Sequence, residues 1–552
     1  MVLGENALRD RSVLDGLKRL LSKTRIIAHN GKFDLGGLYP HIGGQVLWFD
    51  TMLASYCIDE RPGNHGLKVL AVERLGAPQY DLEIKQFIPA RGNYANIPRP
   101  ILYKYNAYDV ACTWELYELF AERLEQEDLR RLHDFMVAAS NELMYLELNG
   151  ITIDKQYMRQ LAIEFVQRLD VIESDLNRLV TDMFHLQHPE TVDTELGQTL
   201  ITINPRSPKQ IKEVLSGQGI TVESTNQDTI EKLLEILQVQ RRMSPDTPII
   251  QFLNTLLHHR RQQKLYSTYV AGIAKRLYRG RVYTTYLLHG TTSGRLASRN
   301  PNLQNIVRDS SIRRQFAVSK PENIFVQADF KQAEGRVITT LAQDEYLRSI
   351  FSNPEVDMFD ELTDQLYGPI GNRSKAERKE QRIRTKAFFY GLSYGREAYS
   401  IALEYKMSVS EAERRMLDFM SLIPATAAWQ QEVRERVLSG EDLITPFGRR
   451  RRFWLITEQN QKDVLNEALS FLPQSTASDI CLTAFTRLRP MLRGLGFIRL
   501  TIHDALVAEC PREHQAQVTQ LLVGEMAKAG SEYTDYVPFN VDVSYGQSWG
   551  DL

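Results

Sequence analysis

The rhythm of apolar and polar positions changes several times along the chain. In the first third, short β-like runs such as Thr24-Arg-Ile-Ile-Ala-His29 alternate with helical stretches such as Ala107 to Arg131, which predicts an α/β layer. Helical periodicity then dominates from Asp128 to Leu186. Asn204-Pro-Arg-Ser-Pro-Lys209 predicts a turn and a helix start, with Ser207 as N-cap and Pro208 in the first helical position. Phe252 to Arg279 predicts one long amphipathic helix. Asn323-Ile-Phe-Val-Gln-Ala-Asp329 has the pattern of a buried strand. Phe497 to Asp504 followed by Ala505 to Cys510 predicts two strands around a tight His-Asp turn. Ser374 to Arg436, between them, is strongly helical. The coarse picture is a sheet interrupted by a long helical insertion.

Length and composition narrow this picture. At 552 residues the chain is expected to hold three or four domains. Its 43% hydrophobic and 25% charged residues are those of an ordinary soluble globular protein. It has no run of about 18 uncharged apolar residues, so no membrane span is expected, and Met1 to Arg11 does not read as a secretory leader. Cys57, Cys112, Cys481 and Cys510 form no CxxC pair, which favours reduced thiols and a cytoplasmic location. Net charge is only −2, but its distribution is uneven. From Thr247 to Arg308 there is no acid, whereas Arg260, Arg261, Lys264, Arg276, Arg281 and Arg295 are among the cations present. Such a stretch suits a polyanion; a solvated basic face balanced across a domain interface would look the same.

Two aspartates stand where chemistry can be built. Asp329 ends an apolar strand and Asp504 sits at the turn of an apolar hairpin. Brought together, they would form a hard-oxygen platform for divalent metal and phosphoryl displacement; alternatively, each simply caps a turn. On the following helical stretch Arg382, Lys386, Tyr390 and Tyr394 recur every four residues and end at Gly395. Each step advances ~400°, so the four share one side. Cations followed by rings suit a triphosphate followed by a base and sugar, although a plain amphipathic helix would show the same spacing.

These residues resemble a known family. Asp329-Phe-Lys-Gln-Ala-Glu-Gly-Arg336 resembles motif A of family A DNA polymerases, Arg382-x3-Lys386-x3-Tyr390-x3-Tyr394-Gly395 resembles motif B, and His503-Asp504 resembles motif C. Thr292-Ser-Gly-Arg-Leu-Ala-Ser298 with Asn302-Leu-Gln-Asn-Ile306 is similar to the family's primer-template signature, and Gly546-Gln-Ser-Trp549 to its closing residues. The resemblance implies an α/β and α+β multidomain protein with a right-hand polymerase fold of palm, fingers and thumb, preceded by a partial RNase H-like exonuclease domain. It implies that Asp329 and Asp504 hold two Mg²⁺ ions, with Mn²⁺ as a substitute, while a primer 3′-OH attacks an incoming dNTP. Arg382 and Lys386 would grip the triphosphate, with Lys386 as general acid. Glu334 would exclude a 2′-hydroxyl, and Gln332, Tyr390, Tyr394 and His503 complete the nucleotide set. Arg295 and Gln474 would meet the primer-terminal minor groove, with Asn302, Gln304, Asn305, Lys264 and Arg260 as further DNA contacts. Partners are then primer-template DNA and dNTPs, with a monomer and replication accessory proteins expected. Tyr390, where bacterial members often have Phe, implies ready dideoxynucleotide incorporation and suggests a phage origin.

Some positions depart from the pattern. Ala505 replaces the acid that usually follows the motif C aspartate, Gly335 replaces a larger apolar residue, and Asn466 and Ser470 stand where Arg and Asn are usual. In the first third, Asn30-Gly-Lys-Phe-Asp34 resembles the second 3′–5′ exonuclease motif, Phe49-Asp-Thr-Met-Leu53 the following strand, and Tyr105-x3-Asp109 the third motif. The first motif, Asp-x-Glu, is not found, Met1 falling where that domain is already under way, so proofreading is expected to be inactive. No 5′-nuclease domain is expected. The expected division is 1–128 exonuclease-like, 129–202 start of the polymerase, 203–282 thumb, 283–340 palm with motif A, 341–455 fingers and 456–552 palm with motif C. Two rival readings are a single-subunit RNA polymerase, against which Glu334 argues, and a non-catalytic primer-template-binding protein.

Overall fold

A computed structural model of the chain describes residues 5–88, 94–187, 202–353, 355–369, 371, 374–405 and 407–552. Met1 of the leader reading and 188–201 of the expected 129–202 segment lie outside the described residues.

The run after Thr24 forms strand β1 (Ile26–Ala28), which pairs in parallel with β2 (Leu47–Asp50). Between them, Asn30 takes a left-handed φ of 57° and opens the helix Gly31–Ile42. A Cβ on Gly31 would approach Leu47 Cδ1 to 2.5 Å, so the close passage of helix over strand requires glycine here. Helices Thr51–Ile58, Arg99–Gln126 and Arg130–Asn149 pack against this small sheet, and Leu67–Leu75 packs on Arg99–Gln126.

The first third is not a detached lobe. Leu35, Phe49, Met136 and Leu143 belong to the same buried apolar cluster as Val326, Val337, Phe471 and Leu506, over 180 residues further on. Buried polar ties reinforce the seam. Glu60 pairs with Arg451 at 3.1 Å and Arg452 at 2.8 Å, and Tyr56 donates to the Thr291 carbonyl at 2.7 Å. Arg449 grips Asp479 through two hydrogen bonds of 2.7 and 2.9 Å, fully away from water.

A second cluster sits apart. The helix Lys155–Gln187 packs along Pro248–Leu265, and Leu176, Ile211, Ile230, Phe252 and Leu256 close a core of their own. Ser207 caps Pro208–Gly217 as its sequence predicts. The helix expected over Phe252 to Arg279 differs. It starts at Pro248, passes through a π-helical turn at Tyr266–Val270 and stops at Ala274. Tyr278 and Arg281 close a turn in which Arg279 (φ 49°) and Gly280 (φ 81°) are both left-handed, a geometry no helix can contain.

The chemistry-bearing segments meet on a four-stranded antiparallel sheet. Its strands are β3 (Asn323–Phe330), β4 (Phe497–Ile502), β5 (Ala505–Pro511) and β6 (Val541–Gly546), in the order β4-β5-β3-β6. The two-strand reading around His503-Asp504 holds, because Ile502 pairs with Ala505 across that turn. The inserted helices Lys375–Ser393, Ala398–Tyr405, Val409–Leu422 and Pro424–Leu438 occupy the segment between β3 and β4. A capping box at Ser374 and Glu377 starts the first of them. Gly395 ends it with φ 78°, and a Cβ there would meet Asn466 at 2.2 Å.

Candidate active site

Antiparallel pairing puts Asp329 at the end of β3 in register with Ala505 on one side and Asp542 on the other. The amide of Phe330 donates to the Asp504 carbonyl at 3.3 Å, drawing the hairpin turn against the end of β3. Asp329 and Asp504 therefore share one cavity of about 480 Å³, together with Gln332, Glu334, Arg382, Lys386, Tyr390, Tyr394, His503 and Arg295. The expected catalytic and nucleotide residues among these come from three separate stretches of chain, and Arg295, expected as a DNA contact, adds a fourth. Gln474 lines an adjoining cavity with Arg295, Glu334, His503 and Asp504.

Burial sets the electrostatics. Burial, and next the nearby Asp504 charge, push the Asp329 carboxyl up to about 7. Its Oδ1 is buried without a hydrogen-bond partner. Burial likewise raises Asp504. Glu334 is also raised by burial, with Arg295 acting against the rise; it pairs with Arg295 and accepts from the Tyr394 hydroxyl. Burial raises the Tyr390 phenol and lowers His503. The Tyr390 and Tyr394 rings stack with centroids 6.2 Å apart and planes 27° apart.

Several neighbours escaped the sequence reading. Arg382 bonds Asp357 at 2.8 Å and Asp360 at 3.1 Å, and Gln332 donates to Asp357 at 3.0 Å. Asp357 is an N-cap, accepting from Phe359 and Asp360 at 3.0 and 3.1 Å; an Asp before a helical run was its only signal. Arg308, Lys331 and Asp542 also line the cleft. Arg308 stands at the edge of the acid-free stretch, but nothing local marks Asp542, whose place follows from strand register. Among the described residues, no group of three or more His, Cys, Asp and Glu side chains is arranged to hold a metal.

The expected DNA contacts divide. Lys264, Asn302 and Asn305 are exposed. Arg260 is half-buried and donates to the Thr225 carbonyl. Gln304 is turned inward. It is 5% exposed, and both ends of its amide engage the backbone around the His503 turn.

The exonuclease-like residues have a different setting. Asp50 accepts from the amides of Asn30 (3.0 Å) and Gly31 (2.9 Å) and caps the helix after β2. Burial and the Asp50 charge raise Asp34 to about 6. Asp109 is paired with the Lys68 ammonium and accepts from the Tyr80 hydroxyl at 2.8 Å. That ammonium also lies over the ring of Tyr105, 4.2 Å from its centroid.

Residues 155–551 match the model of DNA polymerase family A. The chain belongs to that family. Residues 2–125 match the model of a 3′–5′ exonuclease. This family A chain is 29% identical over 548 residues to DNA polymerase I of Chloroflexus aurantiacus, covering 95% of the chain and 54% of that protein. It is 27% identical over 558 residues to DNA polymerase I of Borreliella burgdorferi, covering 96% and 56%. The chain thus spans about half the length of the curated relatives it matches. Its fold is that of the polymerase domain of Pol1 from M. smegmatis, a structure in complex with DNA primer-template and dNTP. The TM-score is 0.79 and the identity 24%, over 97% of this chain and 88% of the other. The right-hand architecture is therefore shared. These relatives are bacterial, and the phage expectation rests only on the compact layout and Tyr390. No helix among the described residues is long and apolar enough to cross a membrane.

Proposed function

We propose that this family A chain is a template-directed DNA polymerase that extends a primer 3′-OH with dNTPs, and that its proofreading site is inactive. One observation carries the polymerase reading: two half-buried carboxylates, one near a strand end and one in the adjoining hairpin turn, face the cations and stacked tyrosines of one helix across a single cleft. The carboxylates fit a divalent cation, because the unpartnered Asp329 Oδ1 and the raised Asp329 and Asp504 carboxyls mark a charge deficit. Mg²⁺ takes one or two protein carboxylates and completes its shell with water and phosphate oxygens. Held by Asp329 and Asp504, two Mg²⁺ ions, or Mn²⁺ in their place, would stabilise charge on the attacking and leaving oxygens.

The chain's own groups do the rest. Arg382 and Lys386 bind the triphosphate; the primer 3′-hydroxyl gives its proton to solvent as O3′ bonds to the α-phosphorus, and Lys386 donates a proton as the α–β bridging oxygen leaves in pyrophosphate. Glu334, held by Arg295 and Tyr394, closes the floor beneath the sugar against a 2′-hydroxyl. Tyr390 and Tyr394 support the nascent pair. Most of the rate then comes from positioning and preorganised charge. Primer-template DNA and dNTPs are the partners, and a cytoplasmic monomer is the working form.

Proofreading loss is supported by the Lys68 ammonium, a cation of the chain itself, at the third-motif carboxylate Asp109. The primary test is primer extension with Mg²⁺, comparing dNTPs with rNTPs and wild type with Asp504→Ala. Template-dependent dNTP extension that Asp504→Ala abolishes supports the proposal. Preferred rNTP use would make the chain an RNA polymerase, and tight primer-template binding without extension would make it a binding protein.

A further inference from the structure

The two residues of the motif C turn are an unusual choice for their backbone. Ile502 pairs with Ala505, so His503 and Asp504 alone form the hairpin loop. Loops of this length need left-handed backbone, which Gly and Asn supply readily. Here His503 takes φ 54° while carrying a full side chain, a backbone region that a residue with a Cβ adopts at a cost. Something outside the hairpin must hold it.

Gln304 does so. Its Nε2 donates to the Thr501 carbonyl at 2.5 Å, and its Oε1 accepts from the His503 amide at 3.1 Å. One planar amide therefore spans the last residues of β4 and the first residue of the turn. Gln304 is fixed in its own right. Its amide and that of Leu303 donate to the Ser298 hydroxyl at 3.1 and 2.9 Å. Leu303 and Ile306 are buried in one cluster with Leu500 of β4 and Val507 of β5. Within 298–306, Ser298, Leu303, Gln304 and Ile306 are thus turned in under the hairpin, while Arg299, Asn300, Asn302 and Asn305 stay exposed.

We infer that Gln304 is a positioning residue for Asp504: it holds the turn that aims this carboxylate at Asp329, instead of contacting DNA. The catalytic consequence rests on the polymerase reading above, whereas the structural one does not. The link also has a direction. The same stretch of chain includes Arg295, which pairs with Glu334, so one segment braces Glu334 as well as the Asp504 turn.

Full-length Gln304→Met keeps the side-chain volume and removes both hydrogen bonds. Hydrogen exchange read by mass spectrometry should show faster exchange in peptides covering 497–511 and an unchanged pattern in 155–187. Mn²⁺ binding, followed by the spin signal of the free ion, should weaken by about 10–100-fold, the usual cost of losing a group that orients a ligand. kcat should fall by a similar factor while the Kd for primer-template stays within about two-fold. If Gln304→Met does not fold, Gln304→Glu carries the same test. It keeps the acceptor for His503 but sets a carboxylate against the Thr501 carbonyl, and the same three shifts are expected. Weaker primer-template binding with unchanged kcat and Mn²⁺ affinity would make Gln304 a DNA contact and overturn the inference. So would unchanged exchange over 497–511. If the wild type fails to extend primers while exchange and Mn²⁺ binding shift as stated, the polymerase reading falls and the positioning role stands.

Discussion

The cleft on the palm sheet and the exonuclease-like site both present partly buried aspartates, yet treat them in opposite ways. Asp329 is half-buried with one oxygen, Oδ1, sealed in without a partner, and its carboxyl rises to about 7. Asp109 is neutralised within the chain by Lys68 and Tyr80, and Asp50 is consumed by backbone amides. A carboxylate recruits a cation only when the fold withholds other partners, since desolvation penalises the bare charge. The first site carries an electrostatic cost that a ligand could offset, whereas the second has already offset it internally. Possession of the motif residues therefore separates the two sites less well than the company they keep.

The largest effect tests the open site. Asp504→Ala should reduce primer extension on the order of 10³-fold, comparable to losing a preorganised charge-stabilising group; a loss below ten-fold in a quenched-flow assay would remove the cleft's special status. Tyr390→Phe comes next. Dideoxynucleotide incorporation relative to dNTP should fall about 10–100-fold if the phenol takes the place of the missing 3′-hydroxyl through a hydrogen bond, and unchanged selectivity on a sequencing ladder would refute that role.

The closed site should respond in stability instead of activity. Asp109→Ala leaves Lys68 half-buried without its partner and should cost about 1–2 kcal/mol in denaturant unfolding, less than a fully buried pair because both groups keep some solvent. Degradation of a 3′-labelled oligonucleotide should be negligible before and after the change; degradation that Asp109→Ala abolishes would erase the contrast between the two regions.

The smallest effect is also the most discriminating. In the unfolded chain Asp329 has an ordinary carboxyl value of about 3.9, so the metal-free folded protein, near 7, binds this proton more tightly. The stability it contributes is fully present below about pH 4 and is lost as pH rises through about 7. Asp329→Asn should thus raise the metal-free thermal midpoint by about 1–2 °C at pH 8 and leave it unchanged at pH 4. A lowered midpoint at pH 8 would mean that Asp329, like Asp109, already has its counter-charge.

Much of the site was legible because its signals are local. Alternation of apolar residues marked β3 and the hairpin, and four-residue spacing placed Arg382, Lys386, Tyr390 and Tyr394 on one side of a helix. Those patterns follow from backbone periods of about 2 and 3.6 residues and survive any tertiary arrangement. Helix endings were less legible. The left-handed pair Arg279-Gly280 cut short a helix whose amphipathic pattern ran on.

What tertiary structure alone decided are the relations between distant residues. Gln304, lying within a motif expected to meet DNA, turns inward because Thr501 and His503, some 200 positions away, offer its amide an acceptor and a donor. Asp542 faces Asp329 through strand register, and Asp109 meets Lys68 across 41 residues. Which polar groups end up paired depends on pairings that cost chain entropy and are settled only when the whole core closes. The sequence by itself determined which residues could do chemistry here; folding determined which of them were left free to do it.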